Sequence, residues 1–380
     1  MKGTSMSMSM STSTGTELNM KAKTAEQQQS IIAELDRQQK SAHDFIINED
    51  QLRGDIATNP GDRRVHISIP LFDAAVISND VRKSYPLTVG AEMQLFEKLG
   101  IPPRYGQRMR DEATPLLIEN LNYWFSHPRV TSNKQRQFQI RTLDEAVRAV
   151  LSPGYLALDS FDYFFRIMRM AGPKGGIIKE LTLNDKRFTM FLTQEDWAQN
   201  LTEHRGVMDK MVPGILFGNS ETGDGRLRAE IKWWRQSCAN GMVTEQVVAR
   251  THLGSQLPEG IISQETRKQA AALVWSEVDD MVNAAFDKDK FTAEFSRMQG
   301  LAQEVLTDPV GEVEKFAKDN SFSDDERQQI INAMMAGGDP TKWGMLNAVT
   351  LVAQHIGDGG SVERQHELER NAGQLVVVRL

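Results

Sequence analysis

An α+β protein, mostly antiparallel sheet flanked by helices with a helical acidic C-terminal part, is what this 380-residue chain predicts. Three patterns carry the prediction. Segments between residues 177 and 252 alternate apolar and polar side chains with period two, as half-buried strands do. Segments at 87–125 and beyond 263 repeat apolar residues at helical spacing instead. Short turn signals, Asn184-Asp185-Lys186 and Asn240-Gly241, separate the strand-like runs as tight antiparallel connections do.

Taken in order, residues 1–24 are Ser, Thr and Met with few large apolar groups. They cannot offset the entropy of ordering and are expected to form a disordered tail. Residues 25–63 read as a short helix, anchored by Ile31, Ile32 and Leu35 and running to about Ile46, followed by a linker. An α+β core is expected over 64–258, opening with a strand in which Val65, Ile67 and Ile69 alternate with Arg64, His66 and Ser68. Thr88 is placed to cap a helix with Leu95, Phe96 and Leu99 on one face, stopped by Gly100 and Pro102-Pro103. A second helical stretch, 104–125, sets Leu117, Leu121 and Trp124 on one face, with Pro115 dividing it. After a basic linker, 138–142 reads as a strand, 144–151 as a helix ended by Ser152-Pro153-Gly154, and 159–170 as a further helix. A hairpin, 177–183 with 187–193, follows, then the stretch 212–254, whose last strand is expected at 246–251.

Residues 259–380 are expected to be a helical region. Ser263 heads a helix with Ala271, Val274, Val278, Met281 and Ala285 on one face. Ser323 and Glu326 make a capping box, and Asp339 before Pro340 predicts an N-cap with proline in the first turn. A charged helix over 362–371 precedes an apolar end that suits a sheet edge.

Composition narrows the function. The apolar runs fall far short of the roughly 20 residues that a membrane-spanning helix needs, and the Met/Ser-alternating start lacks the apolar block of a secretory signal, so no membrane partner and a cytoplasmic location are expected. A single cysteine, Cys238, rules out an intrachain disulfide and a multi-thiol metal site. The formal net charge of −7 argues against a uniformly basic nucleic-acid coat. Residues 134–235, however, hold 16 Lys+Arg against 13 Asp+Glu, whereas 260–345 hold 9 against 16.

The stretch 212–254 concentrates the candidate chemistry. By period two, Leu227, Ala229, Ile231 and Trp233 fall on one face, and Arg226, Arg228, Glu230, Lys232 and Trp234 on the other. A cationic face with an aromatic suits single-stranded nucleic acid, cations tracking phosphates while an indole stacks a base. The expected nucleic-acid-binding residues are therefore Arg226, Arg228, Lys232, Trp234 and Arg235. The same pattern also fits a strand whose arginines merely face solvent and whose Trp234 a helix covers. Asp224 followed by Glu230-Ile231-Lys232 resembles the acid, acid-x-lysine set of Mg²⁺ nucleases, although an acid two residues before lysine is common. Cys238 and His252 suggest a thiol nucleophile with its base, but a lone cysteine in an apolar strand is more often packing. No catalytic residue, cofactor or metal ligand set is therefore assigned.

Three spaced elements, Asn219-Ser220-Glu221-Thr222-Gly223, then Arg235-x-x-Cys238-x-Asn240-Gly241-Met242, then His252-x-Gly254, resemble a phage- and plasmid-encoded family known as a domain of unknown function. Leu99-Gly100-Ile101-Pro102 and Ser152-Pro153-Gly154-Tyr155 fit the same pattern, over about 65–355, with a departure at Pro153-Gly154, where the family is usually polar. The resemblance implies a mobile-element protein found among replication and recombination genes, in a bacterial host cytoplasm, with a distant likeness to single-strand annealing proteins and no established catalytic residues. Self-association is the form in which such a protein would promote annealing. The competing expectation is a non-enzymatic inhibitor of a host factor, acting through the acidic helices of 263–356.

Overall fold

The computed structural model describes residues 18–56, 62, 64–70, 81–127, 136–155, 158–204, 207–236, 240–250, 264–359 and 361–376. The elements are β1 (Asn19–Ala22), α1 (Ala25–Ser41), β2 (Ala42–Asn48), β3 (Arg53–Asp55), β4 (His66–Pro70), β5 (Arg82–Pro86), α2 (Val89–Leu99), α3 (Pro103–Glu112), α4 (Thr114–Ser126), β6 (Gln137–Leu143) and β7 (Ala146–Leu151). There follow α5 (Ser160–Ala171), β8 (Ile177–Asn184), β9 (Phe188–Thr193), β10 (Gln199–His204), β11 (Val207–Asn219), β12 (Leu227–Arg235) and β13 (Asn240–Arg250). Six helices close the chain: α6 (Gln264–Ala285), α7 (Lys288–Gln303), α8 (Pro309–Asp319), α9 (Asp324–Gly337), α10 (Lys342–Asp358) and α11 (Val362–Gly373). The protein is α+β, and every named strand pairing is antiparallel.

Two large apolar cores and a small third cluster of Phe191, Leu216 and Val243 are found among the described residues. The first holds the seven-stranded sheet, ordered β1-β8-β9-β11-β12-β13 with β10 beside β11, together with α1, α5 and the C-terminal helices. The second holds the small sheets β2-β6-β7 and β3-β4-β5 with α2–α4. The helices after 263 thus share a core with the sheet, and the boundary expected at 258/259 does not separate two packing units. Leu346, Val349 and Val352 of α10 and Val278 and Met281 of α6 pack in the same cluster as Ile215, Ile231 and Trp233.

Local signals explain most boundaries. Thr88 caps α2, and Gly100 closes it in the left-handed region at φ 75°. Pro115 sits in the first turn of α4 rather than inside a long helix, so it divides α3 from α4. The Ser323–Glu326 capping box heads α9 as expected. Asn184 Oδ1 accepts from the amides of Lys186 and Arg187, making the β8–β9 turn.

The structure corrects other expectations. The tail is ordered from Leu18 and contributes β1 to the sheet edge, where Lys21 pairs with Asp358; residues 1–17 lie outside the described set. The first helix carries its own Thr24–Gln27 capping box and gives way at Ala42 to β2, which pairs with β6, so ordered structure precedes residue 64. Residues 144–151 form no helix. Asp144 and Glu145 both take positive φ, 49° and 60°, as the tight turn of the β6–β7 hairpin, and pairing with β6 overrides helical propensity. On α4 it is Phe125 that is buried, not Trp124. Asn240 and Gly241 lie inside β13, opposite Arg235 and Trp234, and β13 starts at 240 rather than 246. Thr341, not Asp339, caps α10, with Asp339 holding the Thr341 hydroxyl at 2.7 Å. Leu375 and Val376 form a turn packed on the core, and the last four residues, like Ser263, lie outside the described set.

Candidate functional site

Strand β12 is two-faced, as period two requires. Leu227, Ala229, Ile231 and Trp233 are at most 2% exposed, and Trp233 packs against Phe291 and Phe295 of α7. Its indole donates to Glu294 at 2.7 Å. The opposite face is not an open cationic surface, because α11 lies across it. Lys232 donates to both oxygens of Glu369 at 2.7 and 3.0 Å in a pair whose side chains are 5% and 2% exposed. Glu230 accepts both arms of Arg370 at 2.7 and 2.8 Å. Behind them His366 is fully enclosed, and burial, then the nearby cations Lys232, Arg228 and Arg370, hold its pKa well below the usual histidine range.

Of the five expected nucleic-acid-binding residues, three are therefore engaged elsewhere. Lys232 is a buried structural cation. Trp234 is half-buried with the Lys179 ammonium 3.4 Å above its ring. Arg235 is paired with Asp209, whose other oxygen accepts from Trp343. The remaining two, Arg226 and Arg228, meet at a pocket of about 730 Å³ at the end of the sheet. Here the register sets Thr189 of β9, Gly218 of β11 and Arg228 of β12 side by side. Gly218 has no side chain, and a Cβ there would lie 2.6 Å from Arg228 Nε, so glycine leaves both the hollow and the room for the guanidinium.

The pocket wall collects charge from four parts of the chain: Lys98 at the end of α2, Arg187 before β9, Arg226 and Arg228 around the start of β12, and Arg370 from α11. Against these five cations stand Asp224 and Glu230, the latter already committed to Arg370. Leu151, Tyr155 and Phe188 give the wall an apolar part. Burial pulls the Arg228 pKa down to about 10; Glu230, 3.5 Å away, opposes the change, while Arg370 and Arg187 add to it. A cation so placed gains from any anion that reaches it.

The motif Asn219-Ser220-Glu221-Thr222-Gly223 is the joinery of this pocket. Asn219 donates to Leu158 O and Ser160 Oγ, at 2.8 and 3.2 Å. Ser220 Oγ donates to Lys186 O at 2.7 Å, and Tyr155 donates to Ser220 O at 2.8 Å. Glu221 receives Arg148 and the Ser160 amide, which heads α5. Burial alone would raise its pKa, but Arg148, Arg141 and that amide outweigh it and hold the carboxyl below its ordinary value. Arg141, 2% exposed, binds Asp44 at 2.9 Å, Asp159 at 2.7 Å and Glu221 O at 2.9 Å, tying the second core to the loop. Gly223 adopts φ 83°, and a Cβ there would come within 2.8 Å of Leu151. The second motif is described only in part: Asn240 and Gly241 are strand residues, Gly241 packing against the Lys232 side chain, whereas Cys238, His252 and Gly254 lie outside the described residues.

The acid, acid-x-lysine arrangement is not assembled. Asp224 accepts from Thr222 at 2.7 Å, Glu230 is held by Arg370 and Lys232 by Glu369. Among the described residues no group of three or more His, Cys, Asp or Glu is placed to hold a metal ion, and no helix is long and apolar enough to cross a membrane. Sequence reasoning missed Lys98, Arg187 and Arg370, which come from remote segments, and no local signal marks them. No family model matches the chain, and no curated protein or solved structure matches it.

Proposed function

We propose that the protein binds single-stranded nucleic acid without catalysing its chemistry, as a mobile-element DNA-metabolism factor of the strand-annealing or recombination-accessory kind. The observation that carries this reading is the gathering of five cationic side chains against two acidic ones around one pocket of a chain whose formal net charge is −7. Phosphate is the anion such a set of arginines suits, since the planar guanidinium matches its oxygens in pairs. Leu151, Tyr155 and Phe188 offer the apolar surface against which a base or sugar packs. The motif's resemblance to the phage- and plasmid-encoded family supports the same reading.

The test is fluorescence anisotropy of a labelled single strand of about 20 nucleotides at about 50 mM salt. Arg226→Gln and Arg187→Met are each expected to weaken binding about tenfold, the loss of one charge-assisted phosphate contact. With about two phosphates neutralised, log K should fall against log salt with a slope of about −1.4. Wild-type protein that leaves the strand unbound at low salt overturns the proposal.

A further inference from the structure

The pocket is compact where a strand-tracking site is long. Proteins that run along single strands do so in grooves spanning about 4–16 nucleotides per domain. Here about 730 Å³, within the size range of small-molecule sites, has room for about one or two nucleotides. Its two flanks are fastened. On one side the loop after β11 is fixed by Ser220 to Lys186, by Arg187 Nη2 to Asp224 O at 2.7 Å and by Gln94 to Thr222 O at 2.7 Å. On the other, Arg370 and Glu369 bind α11 to β12 through Glu230 and Lys232. These ties fix the loop and the helix on either side of the pocket.

Charge makes the same point. The lining side chains sum to a formal +3, five cations against two carboxylates. A running strand brings about one negative charge per phosphodiester into a space of this size, whereas a terminal phosphomonoester carries about −1.5 to −2 near neutral pH and brings its neighbouring diester with it. From the compact volume, the fastened flanks and this match we infer that the pocket seats a strand end, with the terminal phosphomonoester against Arg187 and Arg228 and the adjoining phosphodiester near Arg226. This rests on the nucleic-acid reading and narrows it to ends.

One oligonucleotide of about 12 residues decides it, prepared with hydroxyls at both ends, with a 5′-phosphate, and with a 3′-phosphate, all read by anisotropy against the full chain. A phosphorylated form is expected to bind at least about tenfold more tightly than the hydroxyl form, and Arg228→Met is expected to abolish the difference. Arg226→Gln, at an exposed position, provides a second variant that leaves folding undisturbed and should weaken every form. A circular single strand of the same composition should compete poorly. Equal affinity for all three ends, or full competition by the circle, overturns strand-end binding while leaving backbone binding intact. Failure of every strand to bind overturns both. Displacement by a mononucleotide or inorganic phosphate at the concentration of the phosphorylated strand also overturns it, by assigning the pocket to a free phosphate compound.

Discussion

Arg228→Met is expected to make the protein more stable and less able to bind. The guanidinium is enclosed, with 16% of its side chain exposed, in a wall that also holds Arg187 and Arg370. Its burial brings the pKa to about 10, so the guanidinium stays charged at pH 7 but is less favourable in the folded state than in the unfolded chain, by about 1–2 kcal/mol after solvent screening. Between pH 10 and the usual arginine range the unfolded chain binds the extra proton, so stability should rise with pH there, the sign expected for a cation whose folded-state pKa is depressed. Methionine keeps the apolar stem against the sheet and removes the charge. Glu230 is not orphaned by the change, because both its oxygens remain on Arg370. The expected result is a urea midpoint raised by the equivalent of about 1–2 kcal/mol at unchanged slope, with single-strand affinity reduced about tenfold. A midpoint lowered by more than about 1 kcal/mol would refute the reasoning, since Arg228 would then be a structural contact and not a strained cation awaiting an anion.

Other outcomes follow from the same network. Glu369→Ala should destabilise by about 3–5 kcal/mol in equilibrium unfolding by leaving the Lys232 ammonium buried and unpaired, whereas Lys232→Met with Glu369→Leu should recover most of the loss. That double variant, once folded, should bind single strands as wild type does, because Lys232 does not line the pocket. The depressed Glu221 carboxyl contributes stability that is present above its unfolded value of about 4.3 and is lost as pH falls through the lower folded value. Urea midpoints should therefore fall with acid below about pH 4.5, less steeply in Glu221→Gln. Asp159, raised first by burial and then by Glu221, works in the opposite sense and shallows the slope. Gly223→Ala should lower stability by about 1–2 kcal/mol, read by thermal unfolding, since an L-residue is strained at φ 83° and its Cβ meets Leu151.

What the sequence made legible were features carried by a few neighbouring residues. The caps at Thr88 and Ser323, the Asn184 turn and the alternation of β12 each need only local chemistry, and each is present in the fold. The segment 144–151 is locally ambiguous, because its eight residues bear helix-forming and strand-forming side chains alike, and only its pairing with β6 decides between them. Only residues 18–24 of the expected tail are described, and there β1 gains its order from β8, about 160 residues away in sequence.

The same limit governs the site. Period two separates the faces of β12 but carries no information about what lies over them. A polar strand face is exposed only if no complementary polar face is supplied, and α11 supplies one: Glu369 and Arg370 stand opposite Lys232 and Glu230 with matching charge. Once that helix is in place, Arg226 and Arg228 are the strand cations that its carboxylate Glu369 does not take up. They become a site because Gly218 leaves a hollow beside them and Arg187, Lys98 and Arg370 arrive from elsewhere in the chain. The proposed anion site therefore draws on several segments rather than on the basic strand alone, and substitutions at Lys232, which is paired with Glu369, and at Arg228, which is held against a burial cost, two positions of like charge on one strand face, should change stability in opposite directions.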